Sequence, residues 1–154
     1  MAFASTFTAE QVNVGAGSTL QAFTFDALNS QVFESGLIVG RFAKLDTGSL
    51  DNMDASATPV VAGVIKNEAR YPMEDGSTIT ASIGSPVDVS YVRNGYVAVE
   101  VKTGDTPAMF GTVYADNTTS GQYGRATTTS TSNIDVGAEF IKEIKAGVWL
   151  IRIK

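Results

Sequence analysis

The sequence predicts an all-β fold, a small sandwich or barrel of about eight to nine short antiparallel strands with an extended N-terminal arm. Short apolar runs recur at intervals of roughly 8–12 residues, and clusters of Gly, Asn, Asp and Pro separate them. No amphipathic pattern extends beyond two helical turns. A chain of 154 residues has the size of one ordinary domain. We therefore expect an arm at residues 1–25 and a single β-domain at 26–154.

The predicted arm is rich in Ala, Ser, Thr, Gly and Gln, and it is punctuated by four aromatic residues. These are Phe3, Phe7, Phe23 and Phe25. Disordered tails are generally poor in aromatic residues, so an extended arm with aromatic anchors is favoured over a disordered tail. Residues 26–34 then predict a short helical turn.

The first strands are predicted at 37–39 and 42–45, on either side of Gly40. Residues 46–58 contain residue types that favour turns, namely Asp46, Gly48, Asp51, Asn52 and Asp54. The β-branched run at 60–65 indicates a buried strand, and a further strand is expected at 78–83.

A hairpin is predicted around Arg93-Asn94-Gly95. A three-residue loop there would pair Tyr91 with Val97 and Val89 with Val99, which places the apolar residues on one face. Gly95 would supply the left-handed residue that this loop requires.

Residues 110–115 predict another strand, and the polar stretch 117–133 predicts a surface loop with an edge strand around 124–128. The chain closes with a hairpin whose turn is centred on Ala146-Gly147. That register sets Ile144 beside Trp149 and Phe140 beside Ile153. On the other face it sets Glu139 opposite Lys154, an opposite-charge pair. Alternation places Trp149 in the core.

Composition excludes several kinds of chemistry. The chain has no Cys and no His, which excludes disulfides, thiolate or imidazole metal sites, and catalysis by Ser-His-Asp or Cys-His groups. The net charge is −5 and no Lys/Arg cluster occurs, so we expect no nucleic-acid partner and no anionic membrane surface. No apolar run is long enough for a membrane span or a secretory signal, which predicts a chain synthesised in the cytoplasm.

The remaining candidates for chemistry are carboxylates. Asp46, Asp51 and Asp54 lie close together, but their spacing does not fit a calcium loop, and turn-forming aspartates are favoured over a metal site. No carboxylate pair can be assigned to glycoside hydrolysis. We therefore predict no catalytic residue, no metal, no cofactor and no enzymatic activity.

Five segments together resemble the head decoration, or structural cement, proteins of tailed phages. They are Val61-Ala62-Gly63-Val64, Gly95-Tyr96-Val97-Ala98-Val99, Phe110-Gly111-Thr112-Val113-Tyr114, Val136-Gly137-Ala138 and the closing Gly147-Val148-Trp149-Leu150-Ile151-Arg152-Ile153. The resemblance covers about residues 36–154 and lies in pattern and composition. Chains of that family are likewise acidic and poor in His and Cys.

The resemblance implies a virion structural protein on the exterior of the capsid, which is present in the host cytoplasm during assembly. Its partners would be the major capsid protein and further copies of itself, as a homodimer or homotrimer. It would bridge neighbouring capsid subunits and stabilise the head. We expect Phe3, Phe7, Phe23 and Phe25 to make the capsid or inter-subunit contacts, with core packing as the alternative for Phe23 and Phe25. The competing hypotheses are a tail-tube or baseplate module and a carbohydrate-binding β-domain.

Overall fold

The computed structural model describes residues 26–32, 36–46, 49–56, 58–66, 78–79 and 88–154. These residues form eleven β-strands and no helix, which confirms the predicted all-β class. The strands are β1 (Asp26–Val32), β2 (Leu37–Ile38), β3 (Phe42–Asp46), β4 (Ser49–Asn52), β5 (Val60–Ile65), β6 (Thr78–Ile79), β7 (Asp88–Glu100), β8 (Thr112–Ala115), β9 (Ala126–Thr127), β10 (Ile134–Lys145) and β11 (Val148–Ile153).

Most of these strands belong to one antiparallel sheet, ordered β4-β3-β5-β7-β11-β10-β8-β9, with β1 paired to β7 in addition. Strands β2 and β6 pair separately. A parallel bridge joins Val101, just after β7, to Ala126 in β9. The Lys102 amide also donates to the Ala126 carbonyl at 2.8 Å. These contacts bring the far edge of the sheet back to its middle, so the sheet curls into a half-barrel.

Strand β7 replaces the predicted hairpin at Arg93-Asn94-Gly95, so that prediction was wrong. The chain runs straight through as one 13-residue strand. Its first half has partners on both edges, because Val92 lies opposite Ala27 of β1 and Val64 of β5. In its second half Val97 lies opposite Ile151 of β11. Ladder pairing on both halves overrides a local turn signal.

The helical turn predicted at 26–34 was also wrong, because residues Asp26–Val32 form β1. This strand pairs antiparallel with β7, with Leu28 opposite Tyr91 and Val32 opposite Asp88. Register shifts between Leu28 and Gln31 interrupt the ladder. Pairing with the central strand satisfies the backbone of this segment, and this outweighs its weak helical pattern.

The C-terminal hairpin is confirmed, with the turn at Ala146-Gly147 and Lys145 opposite Val148. Two register shifts follow along β10, and each moves the pairing by one residue. Trp149 consequently lies opposite Glu143 instead of Ile144. Phe140 lies opposite Ile151 instead of Ile153. The two shifts together move the pairing by two residues, so side chains beyond the second shift stay on their predicted face of the sheet. Phe140 therefore still lies opposite an apolar residue, Ile151.

The predicted ion pair between Glu139 and Lys154 forms despite the shifted register. Glu139 lies opposite Arg152 and forms ion pairs with both Arg152, at 2.7 Å, and Lys154, at 2.8 Å. The hydrogen-bonded Lys154 ammonium lowers the pKa of Glu139, and Arg152 adds to this effect.

The other predicted strands lie close to their expected positions. The runs at 37–39, 42–45 and 60–65 correspond to β2, β3 and β5. Of the predicted strand 78–83, Thr78–Ile79 form β6, and residues 80–83 lie outside the described residues. The edge strand near 124–128 is β9. Two larger differences remain: β4 is an additional strand within the predicted turn region 46–58, and β8 begins at Thr112, two residues after Phe110.

Two apolar cores flank the strands β3, β5 and β7. Successive residues of β5 serve different cores, since Val64 belongs to the first and Ile65 to the second. The larger core fills the curled sheet around Phe42, Phe140 and Ile151, which are at most 2 % exposed. Each such side chain contributes about 1.5–3 kcal/mol through burial. This explains why β5 is apolar on both faces.

Trp149 is only partly buried, at one end of the larger core. Its ring meets Phe140 edge to face, with centroids 5.6 Å apart and planes at 81°. The prediction of a core tryptophan is therefore correct for one side of the ring. The other side lines an open groove described below.

Candidate functional site

The residues predicted as capsid contacts, Phe3, Phe7, Phe23 and Phe25, lie outside the described residues. Their role stays a prediction. The remaining candidates for a site are the charged clusters, grooves and exposed apolar side chains of the part of the chain that the structure describes.

Of the three aspartates predicted to form turns, Asp46 and Asp51 lie in the strands β3 and β4, and Asp54 is bonded to protein groups. Asp54 accepts a hydrogen bond from the Lys44 ammonium at 2.6 Å, and its other oxygen accepts from the amide and hydroxyl of Ser56. The bonds from Lys44 and Ser56 lower the pKa of Asp54 to about 2, and the Asp54 carboxylate raises the pKa of Lys44. Among the described residues no group of His, Cys, Asp or Glu could hold a metal ion.

A mostly buried ion cluster joins β7 to two loops. The Glu100 carboxylate accepts a hydrogen bond from Arg41 Nε at 2.7 Å and lies 3.2 Å from Arg125 Nε. Their side chains are 11–24 % exposed. Charges this shielded from water stabilise only when they are paired, so the cluster fixes the loops that carry Arg41 and Arg125 against β7.

A second buried carboxylate belongs to Asp116, which is completely shielded from solvent. Its Oδ1 accepts from the Lys102 ammonium at 3.0 Å and from the Thr118 hydroxyl at 2.8 Å. Both contacts reach Oδ1, while the buried Oδ2 has no hydrogen-bond partner among the described residues. Asp116 follows the end of β8, where the chain turns towards β9. These contacts hold the loop after β8 against Lys102.

An open groove of about 690 Å³ lies beside the half-buried Trp149. Glu100, Glu143 and Arg125 contribute charge to its lining, and Pro107 contributes apolar surface. Glu100 is already bound by two guanidinium groups. The groove therefore offers one aromatic face and a mixed polar rim.

The described part of the chain also carries four large apolar side chains that face solvent. They are Leu45, Val60, Met109 and Phe110, exposed by 37, 65, 60 and 68 %. Leu45 and Val60 lie opposite each other on β3 and β5. Met109 and Phe110 are adjacent at the start of the β8 region, and we call this pair the apolar knuckle.

Backbone hydrogen bonds hold the apolar knuckle firmly. The Phe110 amide donates to the Phe140 carbonyl at 2.7 Å, and the Phe140 amide donates to the Gly111 carbonyl at 2.9 Å. The Gly111 amide closes a tight turn onto Ala108 at 3.0 Å. Phe110 adopts a φ of 64° in this turn. Sequence reasoning missed the feature because Phe110 opens an apolar run that is typical of a buried strand.

The described residues contain no helix with the length and apolar character needed to cross a membrane.

Comparison with known proteins identifies the class of protein. The family model of the XM1 gp53 minor capsid protein matches residues 8–154. A chain in a solved structure described as the capsid of Myoviridae phage XM1 is 33 % identical, with a TM-score of 0.78. That match covers 100 % of this chain and 98 % of the solved one. No curated protein matches the chain. The chain therefore belongs to the XM1 gp53 minor capsid protein family and is a structural protein of a virion capsid.

Proposed function

We propose that this minor capsid protein is a decoration, or cement, protein that binds the outer surface of the phage head. It bridges neighbouring major capsid subunits, associates with further copies of itself as a dimer or trimer, and joins the head in the host cytoplasm. The observation that carries the proposal is the family match over residues 8–154, together with the full-length likeness to a chain of a phage capsid. A capsid family favours the head over a tail-tube or baseplate module.

The described surface supports a binding role. The charged clusters at Glu100, Asp116 and Asp54 are occupied by partners within the chain, so they act in holding loops together. Large apolar side chains remain exposed at Val60, Met109 and Phe110. Exposed apolar surface on a rigid β-scaffold suits contact with another protein.

The proposed stabilisation follows from mass action. A protein that binds the assembled shell better than dispersed capsid subunits shifts the equilibrium towards the shell. Many identical sites on one lattice allow each contact to be modest, because a chain held at one subunit has a high effective concentration at its neighbour.

Sedimentation with heads tests the proposal. Expanded heads assembled without this chain are incubated with the purified protein, pelleted, and then heated to measure their disruption temperature. We expect saturable co-sedimentation and a raised disruption temperature. Heads that neither bind the protein nor gain thermal resistance would refute the cement role.

The arm residues call for a separate comparison in the full-length chain. We expect Phe3→Ser with Phe7→Ser to weaken head binding without changing the melting temperature of the free protein, because these residues are predicted to anchor on a neighbour. Phe23→Ser with Phe25→Ser distinguishes the two alternatives for that pair. A lower melting temperature would place both in the core, whereas weaker binding alone would make them contacts.

A further inference from the structure

The apolar knuckle combines two features that are each unfavourable in an isolated chain. Phe110 has a left-handed φ of 64°, a conformation that bulky L-residues rarely adopt. Its side chain is also 68 % exposed, beside a 60 % exposed Met109. Ser132, at φ 59°, is the other described non-glycine residue with a positive φ, and it is polar. Strained backbone that persists in a rigid setting is a recognised mark of functional positions.

The turn also presents the knuckle in a fixed orientation. Hydrogen bonds from the Phe110 amide and to the Gly111 carbonyl tie the turn to Phe140, whose own side chain is fully buried. A side chain held in this way loses little freedom when it binds, and this preorganisation favours affinity. Aromatic residues on rigid supports are typical of interface hot spots.

We propose that the apolar knuckle is an anchor that inserts into an apolar pocket on the assembled capsid shell, a proposal that rests on the cement function above. The exposed area decides between the shell and a second copy of this chain. An aromatic side chain buries about 150–250 Å², so Phe110 and Met109 together offer roughly 200–300 Å². A stable pair of proteins needs about 800 Å² per partner. The knuckle is therefore too small to hold a dimer in solution, but it suffices where a repeated lattice lets many contacts act together.

The test uses Phe110→Asn in the full-length protein. Asparagine tolerates the left-handed conformation, so we expect the melting temperature to stay the same or to rise by about 2–4 °C. Titration of heads assembled without this chain should nevertheless show affinity that is about tenfold to a hundredfold weaker, the range of a lost hot-spot residue. Met109→Ser should weaken binding in the same direction. Ser132→Asn is the control, because it introduces the same residue at a second left-handed position without removing an apolar side chain, and it should leave head binding unaltered.

The outcomes separate this proposal from the cement function. If the unchanged protein does not bind heads, the cement function fails first. If it binds and Phe110→Asn binds equally well, the knuckle proposal alone is refuted. Mass photometry of the free protein supplies the remaining test. A variant that loses its oligomeric state would show that the knuckle contacts a second copy, and a large fall in melting temperature would show that it packs within the chain. Either result would overturn the proposal.

Discussion

Replacing Gly124 with alanine should destabilise the fold strongly, because the glycine lies between fixed backbone groups. Its amide donates to the Asp116 carbonyl at 2.8 Å, and its carbonyl accepts from the Phe42 amide at 2.7 Å. A Cβ at this position would lie 2.4 Å from the Phe42 carbonyl oxygen and 3.4 Å from the Met53 side chain. Since the carbonyl belongs to β3, the side chain cannot be accommodated by a rotamer change alone.

Two terms add to the expected loss. Gly124 has a φ of 77°, and an L-residue in the left-handed region costs about 1–2 kcal/mol. Forcing an extra group into a packed site costs about 1–3 kcal/mol more. The free energy of unfolding should therefore fall by roughly 2–5 kcal/mol, which in a domain of this size lowers the melting temperature by about 5–15 °C.

Gly121→Ala is the matched control. Gly121 has a φ of 80°, yet an added Cβ there would meet nothing within 4 Å. Gly121→Ala should lower the free energy of unfolding only by the cost of the left-handed conformation, about 1–2 kcal/mol. Urea unfolding followed by circular dichroism measures both variants. Equal losses at the two positions would refute the argument that close approach of the Phe42 carbonyl dictates glycine at 124.

Two further predictions concern charge. Glu100→Gln should lower the free energy of unfolding by about 2–4 kcal/mol in urea titrations, because it leaves the Arg41 and Arg125 guanidinium groups mostly buried without a counter-charge; an unchanged midpoint would contradict the structural role of the cluster. Asp54→Asn should cost no more than about 1 kcal/mol, because Asp54 is 48 % exposed and its pair with Lys44 is screened by water. The Asp54 pKa is lower in the fold than in the unfolded chain, so its contribution is present above about pH 4 and is lost as the pH falls towards 2. The difference between wild type and Asp54→Asn should therefore shrink over that interval in thermal melts, and a difference independent of pH would contradict the assignment.

Regular alternation made much of the fold predictable from the sequence. The run at 60–65 and the hairpin around Ala146-Gly147 were placed correctly, because β-branched residues and a glycine turn agree with their tertiary contacts. The two register shifts of β10 towards β11 were not predictable, since residues 140–145 contain no glycine or proline to mark a bulge. Glycine at 95 illustrates the opposite error. With a φ of 102° it has turn-like backbone, but it remains in the ladder opposite Ile153.

The candidate site was harder to predict from the sequence than the fold. The aromatic residues singled out in the arm, such as Phe3 and Phe7, lie outside the described residues, so the structure leaves that prediction where it stood. The sequence predicted Phe110 in a buried strand, because an aromatic residue before Gly111 and Val113 is typical of one. In the structure its side chain is exposed. Its exposure depends on a tight turn and a left-handed φ, which arise from pairing with Phe140 some thirty residues later. Local sequence does not contain that information.

The uninterrupted course of β7 has a mechanical consequence. One end of this strand is bonded to β1 and β5, and the other end is bonded to β11. A pull on either region is therefore carried along peptide bonds to the other, without relying on side chains that could slide. Tension applied to either region would therefore be shared by both, because one continuous backbone segment connects them.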